Sequence, residues 1–246
     1  MKNKIVAIVQ ARSGSTRLPN KVMKEVCDIP MIEFLLLRLS KSTKIDEIVV
    51  ATTDRPSDDE LVRYISKIKY HIYRGSEDDV LDRYYNAAKK YNADIIIRIT
   101  GDCPLVDPAL VDTMIDNYNE IKVDLLWNDG PPTFPDGLDV EIFNFSSLEK
   151  AWLESSKTYD REHVTPYITD TELFSIKTFA NEIDYSSERW TVDEPEDFEV
   201  IKNIIEHFQP NIYFNWTEVI QLKKSHPDYF IQNSMHIRNE GATIGS

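Results

Sequence analysis

Lys4-Ile5-Val6-Ala7-Ile8-Val9-Gln10-Ala11-Arg12-Ser13-Gly14-Ser15-Thr16-Arg17-Leu18-Pro19-Asn20-Lys21 is an apolar run that empties into a small, polar, cationic loop. Ile5 to Val9 is β-branched and nearly unbroken, which predicts a strand buried on both faces of a parallel sheet. Open α/β sheets bind ligands beyond the carboxyl ends of their strands, where this loop begins. Gly14, between Ser13 and Ser15, lets backbone N–H groups approach an anion, and Arg12, Arg17 and Lys21 supply three charges able to fold over a polyphosphate. A cationic cluster is ordinarily a solvated face, but this one directly follows the most strand-like stretch of the chain. The loop is neither a GxxxxGK(S/T) P-loop nor a GxGxxG dinucleotide turn.

Working outward, apolar patterning predicts further strands over 45–52, 70–73, 93–99, 124–128, 138–143 and 189–192. Helices are expected over 30–39, after a Ser57/Glu60 capping box, from Ser76–Asp79 to about residue 91, from Asp107-Pro108, after Ser146/Glu149, and from Pro195. This alternation predicts one α/β domain over 1–235, with a mostly parallel central sheet in a three-layer α/β/α arrangement and a mobile or partner-binding tail over 236–246.

The 246-residue chain has a net charge of −14, whose field repels nucleic acid and anionic membrane. A small nucleotide responds more to the local loop than to that distant field. Cys27 and Cys103 form no disulfide framework or zinc spacing, so a reducing, cytoplasmic setting is expected, and Cys103 reads as a functional neighbour of Asp102 or, with the stronger claim, as a small residue filling a tight strand end. No signal peptide and no run of the roughly eighteen apolar residues that span a bilayer is evident.

Several residues stand where chemistry is expected. Thr100-Gly101-Asp102 lies at the carboxyl end of the strand over 93–99, and Asp102 reads either as a Mg²⁺ ligand facing the cationic loop or as a turn residue bonding its own backbone. Glu77 and Asp78 read as acids complementing a helix dipole. Strict alternation over 138–143 puts Asp139 and Glu141 on one face, toward solvent at a sheet edge or toward a ligand, with solvent favoured by pattern. His163 reads as a packing histidine or as a contact for an acidic or phosphorylated substrate.

The stretch from Ala11 to Lys21 resembles the nucleotide-binding signature of the cytidylyltransferases that activate acidic sugars, the CMP-KDO and CMP-sialate synthetases, and within them the spore coat polysaccharide biosynthesis protein F branch. Similar matches are Tyr73–Tyr84, Arg98–Leu105, Arg161–Tyr167 and Trp190–Asp197, so the resemblance spans nearly the whole chain. It implies a nucleotide-diphospho-sugar transferase (GT-A-like) fold. It also implies Mg²⁺-dependent transfer of CMP from CTP to a sugar or sugar-acid substrate in glycan precursor synthesis, with a homodimer as the default assembly. The implied nucleotide contacts are Ala11, Arg12, Ser13, Gly14, Ser15, Arg17, Lys21, Arg74, Gly75, Ser76, Thr100 and Gly101. Asp102 and Asp193 become the metal ligands, working with Arg12 and Lys21, while Asp136, Gly137, Asp139, Glu141, Arg161 and His163 become the sugar contacts. The rival readings are a GT-A-type glycosyltransferase using a nucleotide sugar and a non-catalytic nucleotide-binding protein.

Overall fold

The computed structural model describes residues 2–236 and 238. In chain order its strands are β1 (Ile5–Gln10), β2 (Glu25–Val26), β3 (Ile29–Pro30), β4 (Glu47–Thr53), β5 (His71–Gly75), β6 (Ile95–Thr100), β7 (Leu125–Trp127), β8 (Glu141–Asn144) and β9 (Ile176–Thr178). The α-helices are α1 (Met31–Leu39), α2 (Asp59–Lys67), α3 (Val80–Lys90), α4 (Pro108–Ile121), α5 (Phe145–Glu154), α6 (Thr158–His163), α7 (Pro166–Asp170), α8 (Pro195–Phe208) and α9 (Trp216–Ser225).

Seven strands form one sheet in the order β5-β4-β1-β6-β8-β7-β9, and β2 and β3 pair separately. All neighbours in the large sheet are parallel except β8, which is antiparallel to both β6 and β7. Period-two alternation sends Ile5, Ala7 and Val9 into a core shared with α1, α4 and α8, and Val6 and Ile8 into a second core shared with α3 and α5. β1 is therefore covered on both faces, as its unbroken apolar run requires.

The carboxyl ends of β1, β4, β5 and β6 share one edge of the sheet. Because β8 runs the other way, its first residue, Glu141, also reaches that edge, opposite Arg98 of β6. Gly101 fits where β1 and β6 end together. Its N–H donates to the Gln10 carbonyl at 2.7 Å, and a Cβ there would sit 2.9 Å from that carbonyl oxygen and from Ala11 Cβ.

Several local expectations are corrected. The Ser57/Glu60 capping box does not form: a 3-10 turn over Pro56–Asp58 precedes α2, which carries no side-chain cap. α5 is capped by Asn144 accepting from the Ser147 N–H, so Ser146 is not its cap. Residues 189–192 lie outside the named strands, because only an isolated bridge between Asp136 and Arg189 forms there. β8 is an interior strand beginning at Glu141, and Glu141 is buried rather than facing solvent at an edge. Of the expected tail, His236 and Arg238 are described, and the remainder lies outside the described residues.

Gly101→Ala should cost about 1–3 kcal/mol, because its methyl meets backbone that cannot give way. Gly14→Ala, whose methyl meets only Glu77 Oε1 at 3.5 Å, should change stability by about 0.5 kcal/mol or less. Urea midpoints of the two variants check this, and equal losses would contradict it.

Candidate functional site

The loop after β1 is held from beneath. Asp58, 1 % exposed, accepts the Ser13 N–H at 2.7 Å and the Thr53 N–H at 3.2 Å, and also takes both the Thr52 and Thr53 hydroxyls. Burial opposes its ionisation, but these donors together hold its carboxyl below the usual range. The Ser13 carbonyl in turn accepts from the Ser15 and Asn20 N–H groups, so the loop folds back on itself and delivers Lys21 to the sheet edge.

There the Lys21 ammonium lies 2.9 Å from Asp102 Oδ2 and 2.8 Å from Asp193 Oδ1. Burial alone would depress the lysine, but the two carboxylates hold its pKa above the ordinary value. Burial likewise opposes ionisation of Asp102, and Lys21 nevertheless holds it well below the usual carboxylate range. The two acids come from opposite halves of the chain and are tied together by the Val192 N–H donating to the Asp102 carbonyl at 2.9 Å. Arg17 pairs with Asp193 at 3.2 Å and with Glu194 at 3.0 Å.

This arrangement fits a divalent ion. A cation already sits between two hard oxygen donors, and Mg²⁺ is typically bound by one or two carboxylates plus substrate phosphates and water. Among the described residues there is no group of three or more His, Cys, Asp or Glu side chains able to hold a metal without such help.

Three neighbouring cavities of about 520, 390 and 360 Å³ form the cleft, and His163 lines all three. Ala11, Arg12, Gly14, Ser15, Arg17, Lys21, Thr100, Gly101, Asp102 and Asp193 line the one over the loop. Asp136, Asp139 and Glu141 line the largest, on the far side of the two aspartates. Gly137, at φ +102°, packs against the Trp190–Thr191 peptide and lets the chain turn there. Burial depresses the His163 imidazole, which favours its neutral form.

Of the expected residues, Arg74, Gly75, Ser76 and Arg161 line none of these three cavities. Arg74 donates to the Thr53 and Arg55 carbonyls at 2.9 Å and pairs with Asp59 at 2.7 Å, tying the ends of β4 and β5 together. Gly75 ends β5, and the Ser76 hydroxyl accepts from the Asp79 N–H at the start of α3. Arg161 grips Asp79 and the Trp152 carbonyl, clamping α6 to the N-terminus of α3. Glu77 pairs with Arg12 and Arg55 rather than serving the helix dipole alone.

Sequence reasoning missed Asp58, Asp129, Arg98 and Arg189. Arg98 of β6 pairs with Glu141 at 2.8 Å, and Arg189 holds Asp136 at 3.2 Å and Asp197 at 2.8 Å. A signal existed for Arg98: a cation inside Ile95-Ile96-Ile97-Arg98-Ile99 requires a buried partner or a ligand.

The family described as cytidylyltransferase matches residues 6–230. The spore coat polysaccharide biosynthesis protein SpsF of Bacillus subtilis is 31% identical over 234 residues, covering 92% of this chain and 96% of that protein. A cytidylyltransferase structure from Leptospira borgpetersenii superposes with a TM-score of 0.89 at 38% identity, covering 93% of this chain and 97% of that one. The structure of CMP:2-keto-3-deoxy-manno-octonic acid synthetase complexed with CTP shares the fold, with a TM-score of 0.65 at 18% identity over 83% of this chain and 99% of that one. The chain belongs to the cytidylyltransferase family.

Proposed function

We propose that this protein transfers CMP from CTP to a hydroxyl of a sugar or sugar-acid substrate, releasing pyrophosphate with the help of Mg²⁺, in the synthesis of surface-glycan precursors. The observation that carries the reading is Lys21 held between Asp102 and Asp193 directly beside the cationic loop. Family membership favours it over a glycosyltransferase or an idle nucleotide-binding protein.

The reaction needs two substrates placed in line and negative charge neutralised on phosphorus and on the leaving group. In this reading the loop N–H groups and Arg12, Arg17 and Lys21 bind the phosphates, with Ala11, Ser13, Gly14, Ser15, Thr100 and Gly101 shaping the cradle. Arg74, Gly75 and Ser76, with Arg161, hold the frame around the nucleotide. Asp102 and Asp193 would hold Mg²⁺, which would supply charge neutralisation and lower the pKa of the attacking hydroxyl. The sugar oxygen forms the new bond to the α-phosphorus, the bond to the β-phosphate oxygen breaks, and pyrophosphate leaves with that electron pair while the hydroxyl proton passes to solvent. Asp136, Gly137, Asp139, Glu141 and His163 surround the sugar.

Lys21 then has two positions. Without nucleotide its ammonium neutralises the metal carboxylates, and when CTP and Mg²⁺ arrive it turns to the phosphates. Asp102→Asn and Asp193→Asn should each lower CTP-dependent pyrophosphate release at least about a hundredfold while cooperative unfolding persists. Full turnover in either variant would remove that residue from the metal site.

Lys21→Met should bind Mn²⁺ in the absence of CTP at least about tenfold more tightly than the parent, measured by electron paramagnetic resonance, because no ammonium competes for the two carboxylates. Unchanged Mn²⁺ affinity would contradict the two-position account.

A further inference from the structure

Behind Asp193 lies a buried ionic knot centred on Asp197, in the first turn of α8. Asp197 is 0 % exposed and lines none of the three cavities. Its Oδ1 accepts from Arg189 Nε at 2.8 Å and from Asn233 Nδ2, in the C-terminal segment, at 2.9 Å. Its Oδ2 accepts from Arg189 Nη2 at 2.8 Å and from the backbone N–H groups of Asp193 and Glu194, each at 3.0 Å. Asn233 Nδ2 also donates to the Arg189 carbonyl at 3.0 Å, so it ties both partners of the pair.

Helix capping accounts for little of this. Asp197 and Glu194 form the capping box of α8, which asks only that the Asp197 side chain accept the Glu194 N–H. Stability accounts for little more, because a buried ion pair loses the hydration of both partners, and apolar residues of similar volume often serve as well. What the remaining bonds have in common is Asp193. Its backbone N–H is held by Asp197, and Arg189, itself gripped by Asp197 through two nitrogens, turns Nη2 toward Asp193 Oδ2 at 3.5 Å. The other carboxylate oxygen, Oδ1, is thereby presented to Lys21 at 2.8 Å and to Arg17 at 3.2 Å. Metal-binding carboxylates are oriented by hydrogen-bonded partners behind them, whose loss typically weakens metal binding about 10–100-fold.

We infer that Asp197, working through Arg189 and Asn233, is a positioning residue that sets the Asp193 carboxylate for the divalent ion without itself touching the ion or either substrate. This rests on the metal assignment in the cytidylyltransferase reading above and adds the residues that fix its geometry.

The test measures Mn²⁺ binding by electron paramagnetic resonance in Lys21→Met protein, where no ammonium competes for the carboxylates, with thermal unfolding of each variant alongside. Adding Asp197→Asn, which keeps the side chain's shape, should weaken Mn²⁺ binding at least about tenfold. Adding Asn233→Ala, which leaves Asp197 and Arg189 paired and so preserves folding, should weaken it at least about threefold. Asp107→Ala is the control for stability alone: it removes the side chain that caps α4, lines none of the three cavities, and should lower Tm without changing Mn²⁺ affinity.

Asp193→Asn in the same background separates the two levels, and it should abolish Mn²⁺ binding. If binding persists in that variant, or if Lys21→Met protein binds no Mn²⁺, the metal assignment fails and the inference with it. If Asp193→Asn abolishes binding while Asp197→Asn and Asn233→Ala leave it unchanged, the inference alone is overturned and the assignment stands. Equal weakening by Asp107→Ala also overturns the inference, since affinity would then only follow stability.

Discussion

One ammonium between two carboxylates organises the cleft. Lys21 follows the loop after β1, Asp102 follows β6, and Asp193 precedes α8, so a single partly buried cation joins three distant parts of the sequence. Two aspartates this close repel one another unless a cation lies between them. In the free protein that cation is the lysine. Charge balance at this edge of the sheet therefore depends on the Lys21 ammonium and that pair of side chains.

The sheet explains how such a site is built. Parallel neighbours bring the ends of β1, β4, β5 and β6 to one edge, and reversal of β8 adds Glu141 to that edge from the opposite chain direction. The cavity over the loop and the cavity lined by Asp136, Asp139 and Glu141 then meet at Asp102 and Asp193. Asp58 beneath the loop and Gly101 between the strand ends are as necessary to this geometry as the side chains that line the cleft.

The parts legible in the sequence were those with local causes. An unbroken β-branched run leaves β1 little choice but a doubly covered strand, and the loop at its end, rich in small and cationic residues, lines a cavity at the sheet edge. Asp107-Pro108 capped α4 as its composition demands, with Asp107 accepting the Ala109 and Leu110 N–H groups. What stayed hidden was partnership across the chain. Arg74 and Arg161 lie in motifs that suggest ligand contact, yet their guanidiniums are consumed by backbone carbonyls and by Asp59 and Asp79. The alternation of Asp139 and Glu141 was visible, but which way their face points depends on β8 being an interior strand, and only the pairing with β6 and β7 decides that.

The measurement that bears most directly on the central claim is thermal unfolding with Mg²⁺ and each of CTP, UTP, ATP and GTP, with and without chelator. A ligand at about a hundred times its Kd adds about 2.7 kcal/mol, which for a chain of this size raises Tm by about 5 °C or more. The account predicts that rise for CTP with Mg²⁺ and its loss on chelation. No rise with CTP, or an equal rise with all four nucleotides, would contradict it.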